Sequence, residues 1–185
     1  RQMCIRDRLG ELRQLQGKLL GKVELLGFEL KDEANLETLI IDVVKTSEIE
    51  GEVLQPEFVR SSIAKRLGLA DNGIAHSERN IDGIVDLMID ATQQNDKSIS
   101  EDRLFGWHAA LFPTGRSGMY KIEVGQWRSG DMQVVSGAMG RERVHFEAPK
   151  AEKLPEEMHQ FINWFNSNNS LDSILKAAIA HLWFI

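Results

Sequence analysis

Apolar residues recur at helical spacing through most of this chain, so few segments have the alternation that predicts a β-strand. One helix face is marked by five residues at the i, i+3, i+4, i+7 and i+8 positions: Leu36, Leu39, Ile40, Val43 and Val44. The same criterion predicts five amphipathic helices in the first two thirds of the chain: Leu9–Leu26, Leu36–Glu50, Pro56–Leu67, Ser77–Gln94 and Glu101–Leu111. Helical spacing returns from Leu154 to Phe165 and from Leu171 to Trp183. The sequence therefore predicts a mainly α fold.

Helix ends are predicted from capping residues. Asn35 is a candidate N-cap for the second helix, and Gly51 can supply the left-handed residue that ends it. Ser98 with Glu101 three residues later has the spacing of a capping box. The most polar break between helical runs is residues 95–98, and we expect a domain boundary there.

One segment after Pro113 predicts β structure. Tyr120, Ile122 and Val124 alternate with polar residues, and Gly125-Gln126 is a candidate turn. Residues 132–135 can then return as the second arm. The sequence thus predicts one β-hairpin.

Charge and composition exclude several classes of protein. A net charge of −6 disfavours a general nucleic-acid binder, and no apolar run has the length of a membrane span. The only cysteine is Cys4, so neither a disulfide framework nor a cysteine zinc site can form, and a cytoplasmic setting is expected. The histidines show no metal-ligand spacing, and we expect no metal site.

A DNA-binding role is also disfavoured. Residues 59–72 resemble the opening of a helix-turn-helix. The helix that would enter the groove carries four acidic residues, which would be repelled by phosphate: Glu78, Asp82, Asp86 and Asp90. We therefore expect this helix to pack against protein and not to contact DNA.

The end of the second predicted helix has an unusual charge. Thr46 and Glu50 lie one turn apart on one side, and Gly51 follows. A carboxylate in the last turn gains nothing from the helix dipole and favours a cationic partner. The competing interpretation is a solvated acidic turn, because Glu48 and Glu52 are close by.

These residues match a motif of a known family. Thr46, Glu50 and Gly51 occupy the specified positions of the [Ser/Thr]-x-x-x-Glu-[Gly/Asn] inhibitory helix of Fic (Fido) proteins. Residues 9–95 resemble the N-terminal helical domain of unknown function often fused to Fic domains, and residues 98–185 resemble the first part of a Fic domain. Residues 177–185 resemble the helix that leads into the catalytic loop of that family. The resemblance implies a Fic-like helical fold with one hairpin flap, after an N-terminal helical domain.

The resemblance implies transfer of AMP from ATP, with Mg²⁺, to a hydroxyl side chain of a target protein. The family signature His-x-Phe-x-[Asp/Glu]-Gly-Asn-Gly-Arg-x-x-Arg does not occur in these residues, and by the family pattern we expect it to begin a few residues past Ile185. No catalytic residue is therefore assigned, and we expect the chain alone to be inactive. Glu50 is implied to pair with the last arginine of that motif and to block a productive ATP pose, with Thr46 helping to hold the helix end.

A target-binding role is implied for the hairpin. The segments Gly125-Gln126-Trp127-Arg128 and Val134-Val135-Ser136-Gly137 resemble the flap of the family. The resemblance implies that this flap holds a target segment by strand addition. Gly125, Trp127, Arg128 and the four residues from Val134 to Gly137 are therefore the candidate target-binding residues.

Other interpretations remain open. The N-terminal domain can instead be an interaction module, for DNA or for a second copy of the chain in a homodimer, joined to a Fic domain that is non-catalytic. A third alternative is an enzyme that removes AMP or transfers another phosphate-linked group. Residues 1–8 resemble translated sequencing-adapter sequence, and we exclude them from the fold predictions.

Overall fold

The computed structural model describes residues 5–24, 28–68, 79–138, 140–168 and 170–184. The chain divides into two compact units, Arg1–Val85 and Asp86–Ile185. The point of division lies inside one helix, about ten residues before the predicted boundary at 95–98. Among the described residues, no helix is both long and apolar enough to cross a membrane.

The described chain is mainly helical, which confirms the predicted fold class. Seven α-helices are present in the described residues: α1 (Ile5–Glu24), α2 (Phe28–Ile49), α3 (Pro56–Leu67), α4 (Arg79–Gln93), α5 (Glu101–Leu111), α6 (Leu154–Asn166) and α7 (Ser173–Phe184). Four short strands form two antiparallel pairs: β1 (Arg116–Ser117) with β2 (Tyr120–Lys121), and β3 (Gln133–Ser136) with β4 (Arg143–Glu147). A single 3₁₀ turn, Ala151–Lys153, precedes α6.

The bounds of α3 and α5 agree with the prediction, but the start of α2 does not. This helix begins at Phe28, so Asn35 lies in its interior and the predicted N-cap is wrong. The residues before Asn35 include Leu30, Lys31 and Ala34, which are good helix formers and extend the helix upstream. The start predicted for α4 at Ser77 lies outside the described residues.

The core of the first unit is built on the packing of α2 against α3. Side chains on both helices and on the first half of α4 are buried: Leu36, Ile40, Val43, Val59, Ile63, Ala64, Ile81 and Val85. Removing such side chains from water is the main stabilising contribution in a small unit. At the edge of this interface, Arg60 bonds to Glu33 at 2.9 Å and to Glu37 at 3.2 Å, and as an exposed set these pairs contribute little.

A partly buried polar cluster joins α3 to α4. Asp82 Oδ1 accepts hydrogen bonds from the Ser62 hydroxyl at 2.6 Å and from Arg66 Nη1 at 2.9 Å. Arg66 Nη2 also donates to the Asp82 carbonyl oxygen at 3.1 Å. Asp82 is thus paired with a guanidinium, as expected for a helix that packs against protein.

In the second unit, Arg103 connects α5 to the end of α4. Its Nε donates to Asp90 Oδ2 at 2.7 Å, and its Nη2 donates to the carbonyls of Asp90 and Gln94 at 3.0 Å each. Its Nη1 donates to the carbonyls of Lys97 and Ser98 at 2.8 and 3.4 Å. One side chain therefore binds four backbone carbonyls at the end of α4 and just after it.

The N-cap of α5 is Ser100, and the predicted capping box at Ser98 is wrong. Ser100 has an extended backbone, and its hydroxyl accepts the Arg103 N–H at 3.2 Å. Beside it, Asn166 at the end of α6 makes two hydrogen bonds with the backbone of Ile99, at 2.9 and 2.8 Å. This pair fixes the start of α5 against the end of α6.

An aromatic cluster joins α6 to α7. Phe161 is buried, and its ring lies 5.7 Å from the rings of Trp183 and Phe184. The rings of Trp164 and Trp183 are 5.4 Å apart. Aromatic contacts of this kind add to the burial of apolar area.

The Asp90 carboxylate provides a test of the Arg103 connection. The Arg103 guanidinium, assisted by the Trp107 N–H, lowers the pKa of Asp90 below its ordinary value. A depressed carboxylate pKa contributes stability that is present above the unfolded-state pKa and is lost as pH falls through the folded-state value.

We expect Asp90→Asn to lower the free energy of unfolding at pH 7 by about 2 kcal/mol, because Arg103 and Trp107 lose an ionised acceptor. We also expect the variant to lose less stability than the wild type between pH 5 and pH 2. Denaturant unfolding across this range measures both effects. The exposed Asp96→Asn is the control, and equal stability of the two variants would contradict this role for Asp90.

Candidate regulatory and target-binding sites

The end of α2 is a Schellman motif centred on Gly51. Gly51 has φ +87, which is the left-handed conformation that the motif requires. The Glu52 N–H donates to the Ser47 carbonyl at 2.8 Å, and the Gly51 N–H donates to the Glu48 carbonyl at 3.1 Å. The predicted helix end at Gly51 is therefore confirmed, and Glu50 is the C-cap residue.

Packing of α2 decides which way this end faces. Leu36, Ile40, Val43 and Ser47 share one face and are buried, with Ser47 only 7% exposed. Thr46 and Glu50 are exposed. The buried face thus fixes the rotation of the helix and leaves the Glu50 carboxylate in water.

Glu50 lies in an unfavourable field. The last carbonyl groups of a helix carry partial negative charge, which disfavours a carboxylate at this end. The nearest basic residue in sequence, Lys45, is paired with Glu48 at 2.6 Å. Among the described residues, none forms a hydrogen bond or an ion pair with the Glu50 side chain, so this acid is available to a cation from elsewhere.

Thr46 contributes to the helix end through its backbone. Its carbonyl accepts the Glu50 N–H at 3.3 Å. Within the described part of the chain, its hydroxyl makes no hydrogen bond. The resemblance implies that Thr46 helps to hold the helix end, and in this structure the group that does so is its backbone carbonyl.

The predicted flap residues fall into two different structures. Gly125, Trp127 and Arg128 lie in a loop on α5, whereas Val134, Val135 and Ser136 belong to β3, which Gly137 ends. The pairing predicted around Gly125-Gln126 is wrong, because residues 120–121 pair with β1 and residues 133–136 pair with β4. The described residues therefore contain two strand pairs, where the sequence predicted one.

Contacts with α5 explain this difference. The Trp127 ring packs on Phe105 with centroids 4.6 Å apart, and its Nε1–H donates to Glu101 Oε1 at 3.2 Å. The Gly125 N–H points to His108 Nδ1 at 3.4 Å. The half-buried Trp127 side chain thus holds this loop on α5.

Arg128 and Glu123 hold the rest of this loop. Arg128 donates through Nη1 to the Gly130 carbonyl at 2.7 Å and through Nη2 to the Pro149 carbonyl. Glu123 accepts from the hydroxyl and the N–H of Ser129, and these bonds lower the pKa of its carboxyl. The Arg128 contact anchors the loop to the residues that follow β4.

Every residue of β3 and β4 is exposed. Val134 pairs with Phe146, Val135 with Val144, and Ser136 with Arg143. A β-bulge leaves His145 as the extra residue, and its Nε2 lies 2.6 Å from Ser136 Oγ. Sequence analysis missed β4, although the alternation of Val144 and Phe146 is a strand pattern.

The turn of this hairpin requires glycine at position 137. Gly137 has φ +111, and a Cβ there would lie 2.7 Å from the Arg141 carbonyl oxygen. At the other side of the turn, the Gly140 N–H donates to Glu142 Oε1 at 2.8 Å and lowers the pKa of that carboxyl. Gly137 and Gly140 thus lie in the tight turn between β3 and β4.

No metal centre is found in the part of the chain that the structure describes, where no three His, Cys, Asp or Glu side chains cluster. A polar cavity of about 280 Å³ lies beside the loop after Arg128 and is lined by five residues: Ser129, Asp131, Lys150, Ala151 and Glu152. The cavity is open to solvent, and its lining is mainly polar.

Comparison with known families gives one match. Residues 2–69 match the model of a domain of unknown function, DUF4172. The matched region includes α1, α2 and α3, and with them Thr46, Glu50 and Gly51. A comparison with curated proteins found no match.

The Schellman motif at the end of α2, which lies inside the DUF4172 match, can be tested through its glycine. Gly51→Ala puts a residue with a Cβ at a left-handed backbone position, and nothing lies within 4 Å of that Cβ. We expect the backbone strain alone to lower the free energy of unfolding by about 1 kcal/mol. Gly17→Ala, in the middle of α1 and equally uncrowded, is the matched control.

We expect Gly17→Ala to stabilise its helix by up to about 1 kcal/mol, because alanine is the better helix former. Circular dichroism with denaturant titration measures both variants. The same sign of change in both would show that α2 does not depend on a left-handed residue at position 51.

Proposed function

We propose that this chain is the regulatory and target-binding part of a self-inhibited Fic-type protein adenylyltransferase. The observation that carries the proposal is the exposed Glu50 carboxylate, which no described residue binds, at a glycine-ended helix in the residue pattern of the inhibitory motif of that family. Glu50 lies within the region that matches DUF4172, residues 2–69.

The inhibitory step is a competition for one guanidinium. An arginine donates to a carboxylate through two parallel hydrogen bonds, and it binds a phosphate through the same donors. Glu50 in contact with an arginine of the nucleotide site would therefore displace the γ-phosphate of ATP. Release of Glu50 would let ATP bind in the pose in which a target hydroxyl attacks the α-phosphorus and pyrophosphate leaves.

In the described residues no three His, Cys, Asp or Glu side chains lie together, and the proposal assigns the binding of ATP and Mg²⁺ to the complete protein. What the chain contributes is the inhibitory carboxylate and a hairpin that aligns the target.

The inhibitory role predicts a gain of activity. In the complete protein, we expect Glu50→Gln to raise the rate of AMP transfer at least about tenfold, because an arginine–carboxylate contact is worth about 1.5 kcal/mol or more. Incorporation of label from α-³²P-ATP into protein measures the rate. Glu52→Gln, two residues away and equally exposed, should leave it unchanged.

Two results would contradict the proposal. If Glu50→Gln transfers AMP no faster than the wild type, Glu50 is not the inhibitor. If neither protein transfers AMP to any acceptor, the activity itself is wrong.

A second candidate function, an interaction module, is favoured by α1. Four leucines of this helix are between 47% and 62% exposed: Leu12, Leu15, Leu19 and Leu20. Leu12 and Leu19 are seven residues apart, and Val23 follows four later, which is the spacing of a coiled-coil seam. A second copy of α1 carries the same seam and is the occupant we assign.

This alternative predicts a dimer that depends on the α1 seam. Leu19→Glu should abolish self-association because it places a charge in the apolar contact. Gln14→Glu adds the same charge on the other side of the helix and should have no effect. Sedimentation equilibrium measures both, and a wild-type chain that stays monomeric at its highest soluble concentration excludes this function.

A further inference from the structure

The β3–β4 hairpin places a hydroxyl, an imidazole and a guanidinium side by side. Ser136 Oγ lies 2.6 Å from His145 Nε2. Ser136 also lies opposite Arg143 in the antiparallel register, and the side chains of opposite residues share one face of the pair. All three residues are exposed. A small molecule in solution can therefore reach the three groups together.

A β-bulge holds His145 in this position. Val135 pairs with Val144 and Val134 pairs with Phe146, so His145 is the additional residue of β4. A bulge breaks the strict alternation of side chains along a strand and re-aims the extra residue. The imidazole is thereby held against the Ser136 hydroxyl by the backbone of the hairpin.

His145 can act as a base toward Ser136. A neutral imidazole that carries its proton on Nδ1 accepts a hydrogen bond at Nε2, and the Ser136 O–H is then the donor. An adjacent base of this kind makes a hydroxyl oxygen a stronger nucleophile. Ser117 in β1 is also exposed, and among the described residues its hydroxyl forms no hydrogen bond. Ser117 is therefore a reference hydroxyl without a base.

Arg143 selects the charge of the molecule that reacts. Within the described part of the chain, its guanidinium makes no ion pair and no hydrogen bond. The neighbouring Glu142 accepts the Gly140 N–H at 2.8 Å. Glu147 lies at the other end of β4, opposite Gln133. Because a guanidinium binds phosphate through two parallel hydrogen bonds, this face favours a phosphorylated electrophile over a neutral ester.

We propose that Ser136 is a phosphorylation site that reacts directly with acyl phosphates, the mixed anhydrides of a carboxylic acid and phosphoric acid. The Ser136 oxygen attacks phosphorus, and its proton passes to His145 Nε2. The bond from phosphorus to the acyl oxygen breaks, and its electron pair leaves with the carboxylate. Arg143 pairs with the phosphoryl oxygens throughout, and His145 then releases the proton to water.

An acyl phosphate fits this face because its leaving group needs no acid. The carboxylate departs as an anion, so one base is sufficient for the transfer. The products are phosphoserine, a free carboxylate and one proton. The reaction involves neither AMP nor a target protein, and it is independent of the proposed function.

The test is incubation of the chain with acetyl phosphate, followed by mass spectrometry of its peptides over time. A positioned general base contributes about a hundredfold or more in enzymes, and an exposed pair contributes less. We therefore expect phosphate to form on Ser136 at least about tenfold faster than on Ser117. The mass of the adduct distinguishes a phosphoryl group from an acetyl group.

Two variants separate the base from the anion contact. His145→Gln keeps a hydrogen-bonding side chain but removes the base, and we expect the rate at Ser136 to fall to that at Ser117. Arg143→Gln should lower the rate with acetyl phosphate about threefold, the range of an exposed ion pair. It should leave the rate with diisopropyl fluorophosphate unchanged, because that reagent carries no negative charge. An unchanged rate at Ser117 shows that each variant is folded.

Several results would overturn the proposal: equal rates at Ser136 and Ser117, acetylation in place of phosphorylation at Ser136, or an unaltered rate in His145→Gln. An equal loss with both reagents in Arg143→Gln would exclude the anion contact and would also overturn it. The incubation contains no nucleotide, so it can succeed while AMP transfer fails, or fail while AMP transfer is observed.

Discussion

The left-handed conformation of Gly51 decides where α2 ends, and the placement of Glu50 depends on it. A residue with a Cβ is strained in this conformation, whereas glycine adopts it with little strain. Glycine at position 51 therefore lets the N–H groups of residues 51 and 52 form the Schellman hydrogen bonds. Burial of Val43 and Ser47 fixes the rotation of the helix about its axis. Together these two constraints hold one carboxylate in water, at the helix end where the backbone offers it no stabilisation.

In the second unit, hydrogen bonds and ring contacts anchor the helices and the loop after α5, whereas the β3–β4 hairpin is exposed. Arg103 satisfies carbonyls at the end of α4, and Asn166 binds the backbone at the start of α5. Trp127 fixes the following loop to α5, and Arg128 connects that loop to Pro149 just after β4. The β3–β4 hairpin therefore follows an anchored loop, while its own apolar side chains remain exposed.

The helices could be predicted from sequence because local periodicity and glycine dictate them. The bounds of α3 and the end of α2 at Gly51 depend on spacing and on one left-handed residue, both of which are visible in the sequence. The error at Asn35 arose because a capping residue also occurs in helix interiors. The pairing of β3 could not be derived locally, since it depends on Trp127 packing against α5 and on β4 being a better partner.

The central claim is that Glu50 and the γ-phosphate of ATP compete for the same arginine, and nucleotide affinity in the complete protein tests it most directly. The measurement is the ratio of ATP to ADP dissociation constants by calorimetry, in the wild type and in Glu50→Gln. The account predicts that the wild type binds ATP no more tightly than ADP, and that the variant gains affinity for ATP alone. An identical ratio in the two proteins would contradict competition at the γ-phosphate.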